Sequence, residues 1–209
     1  MKVEALKRRL SEHVIVGDGG TGSELLQRLP EGSRLDVAAH EHPEEVLDIH
    51  LAYIEAGAEL IETATFGSSR PRMLRGRVGD LTEKTNAAAV KLAREAREIS
   101  GRDVLVAGSI APLAGVLDLD EPEGRAMIRT AHAEQAAILA GRGADLLILE
   151  TFFRVDELAI AVAAARSVTD LPLIGMMTFA HERPPHPYLE QAEMVDALAE
   201  LDLVAIGVN

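Results

Sequence analysis

Cysteine is absent from these 209 residues, and so is tryptophan. Without cysteine there is no disulfide, no thiolate metal ligand and no cysteine nucleophile within the chain. No apolar run approaches the roughly 20 residues that a membrane-spanning helix needs. Basic charge is scarce: 21 Lys and Arg stand against 34 Asp and Glu, for a net charge of -13. A chain this acidic repels a phosphate backbone, which argues against a nucleic-acid partner. The one local basic cluster, Arg70, Arg72, Arg75 and Arg77, reads as a solvated loop. Near the start, Lys2, Lys7, Arg8 and Arg9 are interrupted by Glu4, and no apolar signal core follows, so no export signal is read and the cytoplasm is the expected compartment. There is no G-x-S-x-G elbow for acyl transfer. Gly17-Asp18-Gly19-Gly20-Thr21-Gly22 is glycine-rich but lacks the G-x-G-x-x-G spacing, and Asp18 sits where a pyrophosphate would be repelled. Aromatics are only 3% of the chain. Phe66, Phe152, Phe153 and Phe179 each fall at or just after the end of an apolar run, which places large rings at one end of the molecule.

What the chain does have is a 47% apolar content arranged in short runs. Residues 14–16, 60–65, 104–107, 146–149, 173–177 and 203–208 are too apolar to alternate, as expected of strands covered on both faces. Helical patterns separate them. Pro43-Glu44-Glu45 opens one that Gly57 closes. Asp80 and Glu83 have capping-box spacing before Ala87–Ile99. Glu123–Ala140, Asp156–Ser167 and Glu190–Leu201 follow, and residues 3–10 predict a short helix that could cover one end of the sheet. Strand-helix alternation predicts an α/β fold with right-handed crossovers, either doubly wound or a (β/α) barrel. A near-repeat favours the barrel. Gly57-Ala58-Glu59 precedes Leu60-Ile61-Glu62-Thr63, and Gly143-Ala144-Asp145 precedes a run ending in Leu149-Glu150-Thr151. Six strands do not close a barrel of eight, so the expectation is one barrel domain over residues 1–209 with about six of its eight units present.

In a barrel, functional groups gather at the C-terminal ends of the strands. The candidates there are Asp18, Glu62, Thr63, Thr65, Ser109, Glu150, Thr151, Thr178 and Asn209. Acids and hydroxyls thus meet on one rim without a Lys or Arg, an arrangement that attracts an ammonium group or a metal. A glutamate that follows four apolar residues, as Glu150 does, costs several kcal/mol if it is buried without a partner. Structural roles stay open: Asp18 bonding amides in its own turn, Glu62 capping a loop or pairing with an Arg, Glu150 in a buried pair. His181 and His186 flank a proline-rich stretch that reads as a lid rather than a metal site.

Four stretches resemble the homocysteine S-methyltransferase family: Asp18-Gly19-Gly20-Thr21-Gly22-Ser23-Glu24-Leu25, Ile61-Glu62-Thr63-Ala64-Thr65-Phe66-Gly67, Ala107-Gly108-Ser109-Ile110-Ala111-Pro112, and Leu149-Glu150-Thr151-Phe152. The final Gly207-Val208-Asn209 is similar to the start of that family's Gly-x-Asn-Cys segment. The resemblance runs from about residue 11 to the last residue. It implies a TIM (β/α)8 barrel that binds homocysteine and zinc, with a methyl group passed to the metal-bound thiolate to form methionine. By the same resemblance, Asp18 and Glu150 meet the substrate ammonium, the amides of Gly19 and Gly20 meet its carboxylate, and Asn209 orders the end of the sixth strand. Thr63 and Ser109 complete the substrate set. The zinc ligands are cysteines expected beyond Asn209, so no metal ligand and no catalytic residue is assigned within residues 1–209, and this piece alone is expected to be inactive.

Departures from the family pattern include Thr21-Gly22-Ser23 and Ala64. The stretches around Ser109 and Glu150 are more similar to the bifunctional subtype joined to a methylenetetrahydrofolate reductase, which would carry FAD. The alternative is the homocysteine module of methionine synthase, which uses cobalamin and 5-methyltetrahydrofolate. A free-standing enzyme would draw on S-methylmethionine or S-adenosylmethionine. Non-catalytic readings also stand, as an amino-acid-binding or purely structural barrel piece. No membrane or nucleic-acid partner is expected, and a homo-oligomer is compatible with the sequence.

Overall fold

The structure, a computed structural model, describes residues 3–179 and 191–209, without the side chains of residues 191–193. Five parallel strands are found among these residues: β1 (Leu60–Glu62), β2 (Leu105–Ile110), β3 (Leu146–Phe152), β4 (Leu173–Met177) and β5 (Ala205–Val208). They pair in sequential order, β1-β2-β3-β4-β5. No strand is inserted between earlier ones, so the sheet is an arc of a (β/α) barrel and not a doubly wound sheet.

The predicted first strand, residues 14–16, is reduced to an isolated parallel bridge between Gly17 and Leu60. Val16 O accepts from Glu59 N and Leu60 N, and Asp18 N donates to Leu60 O. This segment therefore lies beside β1 in the expected place. Val14 and Val16 are 84% and 53% exposed, so too little surface is covered to hold a regular strand.

Helices surround the sheet, the first beneath it and the long ones that follow on its outer face. They are α1 (Val3–Glu12), α2 (Thr21–Arg28), α3 (Ala38–Glu41), α4 (Pro43–Glu55), α5 (Arg70–Arg75), α6 (Thr82–Ser100), α7 (Pro122–Gly141), α8 (Val155–Arg166) and α9 (Gln191–Ala199). Strand side chains alternate between two cores, as the pleat requires. Ile61, Val104 and Val106 face outward to Ile54, Ala93 and Ala96 of α4 and α6. Leu147, Leu149, Leu173 and Met177 face α7 and α8. Leu60, Leu105, Ala107, Leu146 and Ile148 face inward, where Leu6 of α1 closes the floor.

The repeated Gly-Ala-acid unit has one structural job in both copies. Gly57 and Gly143 have φ of +111° and +97°, the left-handed turn that ends α4 and α7. Ala58 and Ala144 then pack in the outer core. The acid reaches back to the preceding segment of the sheet: Val16 N donates to the Glu59 carboxylate at 3.3 Å, and Val106 N to that of Asp145 at 2.9 Å. Each unit thus stops a helix and docks the next strand in register.

Two local expectations fail. The capping box at Asp80 and Glu83 does not form. Asp80 lies inside a 3-10 turn, Gly79–Leu81, and α6 starts at Thr82, whose hydroxyl donates to Gly79 O at 2.7 Å. The arginine cluster is not a solvated loop either. Pro71 sits in the first turn of α5. Arg70 pairs with Glu134, with its Nε 2.9 Å from Oε1. Arg72 donates to Pro112 O and lies over the Phe66 ring at 5.8 Å, and Arg75 donates to Val116 O. These three arginines fasten neighbouring segments, while Arg75 and Arg77 remain exposed.

Candidate active site

At the C-terminal ends of the strands, the next inward-facing position above the apolar floor is polar. Glu62, Ser109 and Glu150 continue the inward rows that begin with Leu60, Ala107 and Ile148. With residues 18–23, Asp36, Thr63, Phe66 and Asn209, they line an open cleft of about 870 Å³.

Asp18 arrives by its own turn: its amide is tied to Leu60, and its Oδ2 accepts Glu62 N at 2.9 Å. Burial pushes its carboxyl up to about 7, against the pull of that backbone bond. The Glu62 carboxyl is driven well above the usual range by burial, by the charge of Glu150 and by its hydrogen bond to Glu150. The Ser109 hydroxyl donates to Glu150 Oε1 at 2.5 Å. Burial and the neighbouring Glu150 thus favour the protonated form of Glu62.

The start of α2 lines the same cleft. Its cap is Gly20, which offers no side chain to the first-turn amides. Those amides have no intrahelical acceptor and carry the positive end of the helix dipole. The Tyr53 ring packs beneath Gly19, close enough that an added Cβ would sit 2.9 Å from its hydroxyl.

Thr63 lines the cleft, but its hydroxyl is engaged with Thr65 Oγ1 at 2.7 Å, and Thr65 Oγ1 donates to Ser109 O at 2.7 Å. This pair fastens β1 to β2 and is not free for a ligand. Asn209 also lines the cleft while gripping two strand ends. Its Oδ1 accepts Thr151 N at 3.1 Å and Thr178 Oγ1 at 3.0 Å, and its Nδ2 donates to Thr151 Oγ1 at 2.7 Å.

The sequence-predicted substrate residues Asp18, Gly19, Gly20, Thr63, Ser109, Glu150 and Asn209 all line this one cleft. Of the phenylalanines, Phe66 lines it, whereas Phe152 is fully buried in the outer core, 6.0 Å from the His132 ring. His181 and His186 lie outside the described residues. Glu62 was visible in the sequence as a rim acid but not as a member of the substrate set. Leu35 and Asp36 also line the cleft, from positions that no pattern marks. Arg34 Nε holds Asp36 Oδ1 at 3.0 Å.

A model of the homocysteine S-methyltransferase family matches residues 15–209. The chain belongs to that family. It is 32% identical to the S-methylmethionine–homocysteine S-methyltransferase of Mus musculus over 98% of this chain and 53% of that protein. It is 29% identical to betaine–homocysteine S-methyltransferase 1 of Bos taurus over 100% of this chain and 51% of that protein. Methionine synthase of Mycobacterium tuberculosis is 32% identical over 82% of this chain and 15% of that protein. The chain thus spans about half the length of the first two of these homocysteine methyltransferases. Among solved structures, the homocysteine methyltransferase MmuM of Escherichia coli in its oxidised form superposes with a TM-score of 0.78 at 24% identity, over 96% of this chain and 75% of that one. That likeness establishes the shared barrel fold. Among the described residues no group of three or more His, Cys, Asp or Glu is placed to hold a metal, and no helix is long and apolar enough to cross a membrane.

Proposed function

We propose that this cleft binds homocysteine by its amino-acid end, and that the protein to which the chain belongs transfers a methyl group to the homocysteine sulfur, giving methionine. One observation carries this reading. Three carboxyl groups, Asp18, Glu62 and Glu150, line a single cleft together with the uncapped start of α2. An α-amino acid needs that pairing: acids for its ammonium, N–H groups for its carboxylate.

In this reading the Glu150 carboxylate, oriented by Ser109 and Glu62, takes the ammonium. Asp18, half-buried and bonded to Glu62 N, supplies a second contact. The amides of Gly19 and Gly20, just ahead of α2, take the substrate carboxylate together with those of its first turn. With both ends held, the thiol-bearing arm points toward the methyl donor, and orientation of this kind lowers the barrier to an in-line displacement. The family resemblance implies a zinc ion that activates the thiol. The described residues do not form its ligand set: the chain has no cysteine, and no metal-binding cluster is present among them. In this reading they provide the amino-acid half of such a site.

Calorimetric titration of homocysteine into the full-length protein, beside its Glu150→Ala variant, tests the assignment. Removing one partner of a buried charge pair costs about 2–5 kcal/mol, so affinity should fall by at least an order of magnitude. Methionine production should fall in parallel. An intact variant that binds homocysteine as tightly as the parent would overturn it.

A further inference from the structure

Beyond Leu149 the pairing of β3 with β4 slips. Leu149 lies opposite Gly175 and Phe152 opposite Met177, so three steps on β3 match two on β4. The extra residue is Thr151, with φ of +64°. A β-branched residue in the left-handed region is an outlier that its surroundings must enforce. The enforcing group is Asn209, whose amide side chain meets both the backbone N–H and the hydroxyl of Thr151 and is itself tied to Thr178.

The bulge changes which side chain reaches the cleft. Simple alternation from Ile148 would send both Glu150 and Phe152 inward. Instead Glu150 points in, to Ser109, while Phe152 is turned out against His132. A bulge re-aims the residues after it by one position.

We propose that Asn209 and Thr151 form a clamp that sets this bulge, holding Glu150 in the cleft while keeping the Phe152 ring out of it. Both are positioning residues, acting through Glu150, and their effect on substrate rests on the reading of the cleft as an amino-acid site. The clamp also links the floor of that site to the end of β5. Loss of the amide releases the strain at Thr151, the slip in register relaxes, and the Phe152 ring swings toward the space that the substrate occupies.

The test uses the full-length protein and four variants: Asn209→Ala, Thr151→Val, Thr151→Gly, and Asn209→Ala combined with Thr151→Gly. Valine keeps the branched shape and loses the hydroxyl, whereas glycine adopts the positive φ without help. KM for homocysteine should rise roughly tenfold to a hundredfold in Asn209→Ala and Thr151→Val, with a smaller change in kcat. Thr151→Gly should stay near the parent and should restore most of the loss in the double variant. Crystal structures and thermal midpoints provide a readout that needs no substrate. Phe152 should leave its outer pocket in Asn209→Ala and return in the double variant, and the two midpoint shifts should be non-additive. If the parent binds no homocysteine, the proposed function falls, while the structures and midpoints still judge the clamp. An unmoved Phe152 in Asn209→Ala, or additive midpoint shifts, would overturn the clamp.

Discussion

Buried titratable groups at single positions set opposing pH limits on this fold. Asp18, with an ordinary value of 3.8, is held at about 7, and Glu62 is raised as well. The native state keeps protons that the unfolded chain has already lost, so these two groups make stability fall as pH rises through that window. His50 and His132 act in the other direction. Burial lowers each from 6.5 to about 4, so their contribution is lost as pH falls from 6.5 toward 4. Stability should therefore peak at mildly acidic pH. Glu62→Gln should flatten the alkaline limb and raise the urea midpoint at about pH 8. An unchanged slope between about pH 5 and about pH 8 would show that Glu62 does not hold its proton in the native state. The acids themselves were legible, because a glutamate after an apolar run has few cheap explanations. What each one does was not. The Glu62 carboxyl is raised by burial and then by Glu150 beside it, and that neighbour is 88 residues away in the chain (150 − 62). The role of Thr151 had no signature at all, since nothing about a threonine announces a positive φ.

At the scale of elements, the long helices and buried strands could be read from the sequence because apolar periodicity and Gly or Pro punctuation agree over many residues. The short elements could not. The helix at Thr21–Arg28 begins inside a glycine-rich loop, and Arg70–Arg75 looks like a charged loop until its arginines find partners across the chain. The start of α7 gives a prediction that opposes local propensity. Gly124 lies in its first turn, where alanine would normally favour the helix by about 1 kcal/mol. Here an added Cβ would sit 1.7 Å from the Asp118 carbonyl oxygen, a backbone atom that cannot step aside cheaply. Gly124→Ala should therefore lower the denaturant midpoint. A variant more stable than the parent would mean that the loop at 118–121 does not pack on α7 as described.

For the whole molecule, the inner core and its floor are the shared feature. Leu6 is 1% exposed and is the one α1 side chain that enters the inner cluster, beside Leu60, Leu105 and Leu146. Arg9 secures the same helix to Asp103 at 3.0 Å. Leu6→Ala should cost about 2–5 kcal/mol and increase binding of a hydrophobic dye to the native state, with the charged contacts of α1 intact. A loss no larger than that of an exposed leucine such as Leu26 would show that α1 is an appendage rather than a floor. The strictly consecutive order of the sheet has a further consequence, for how the chain is made. Within the described sheet each strand after β1 pairs with the one synthesised just before it, so growth of this arc needs no partner encoded far downstream. The sheet can grow by accretion, one unit at a time. Nascent chains arrested after successive strands should then gain resistance to protease in steps, rather than all at once when the last strand is released.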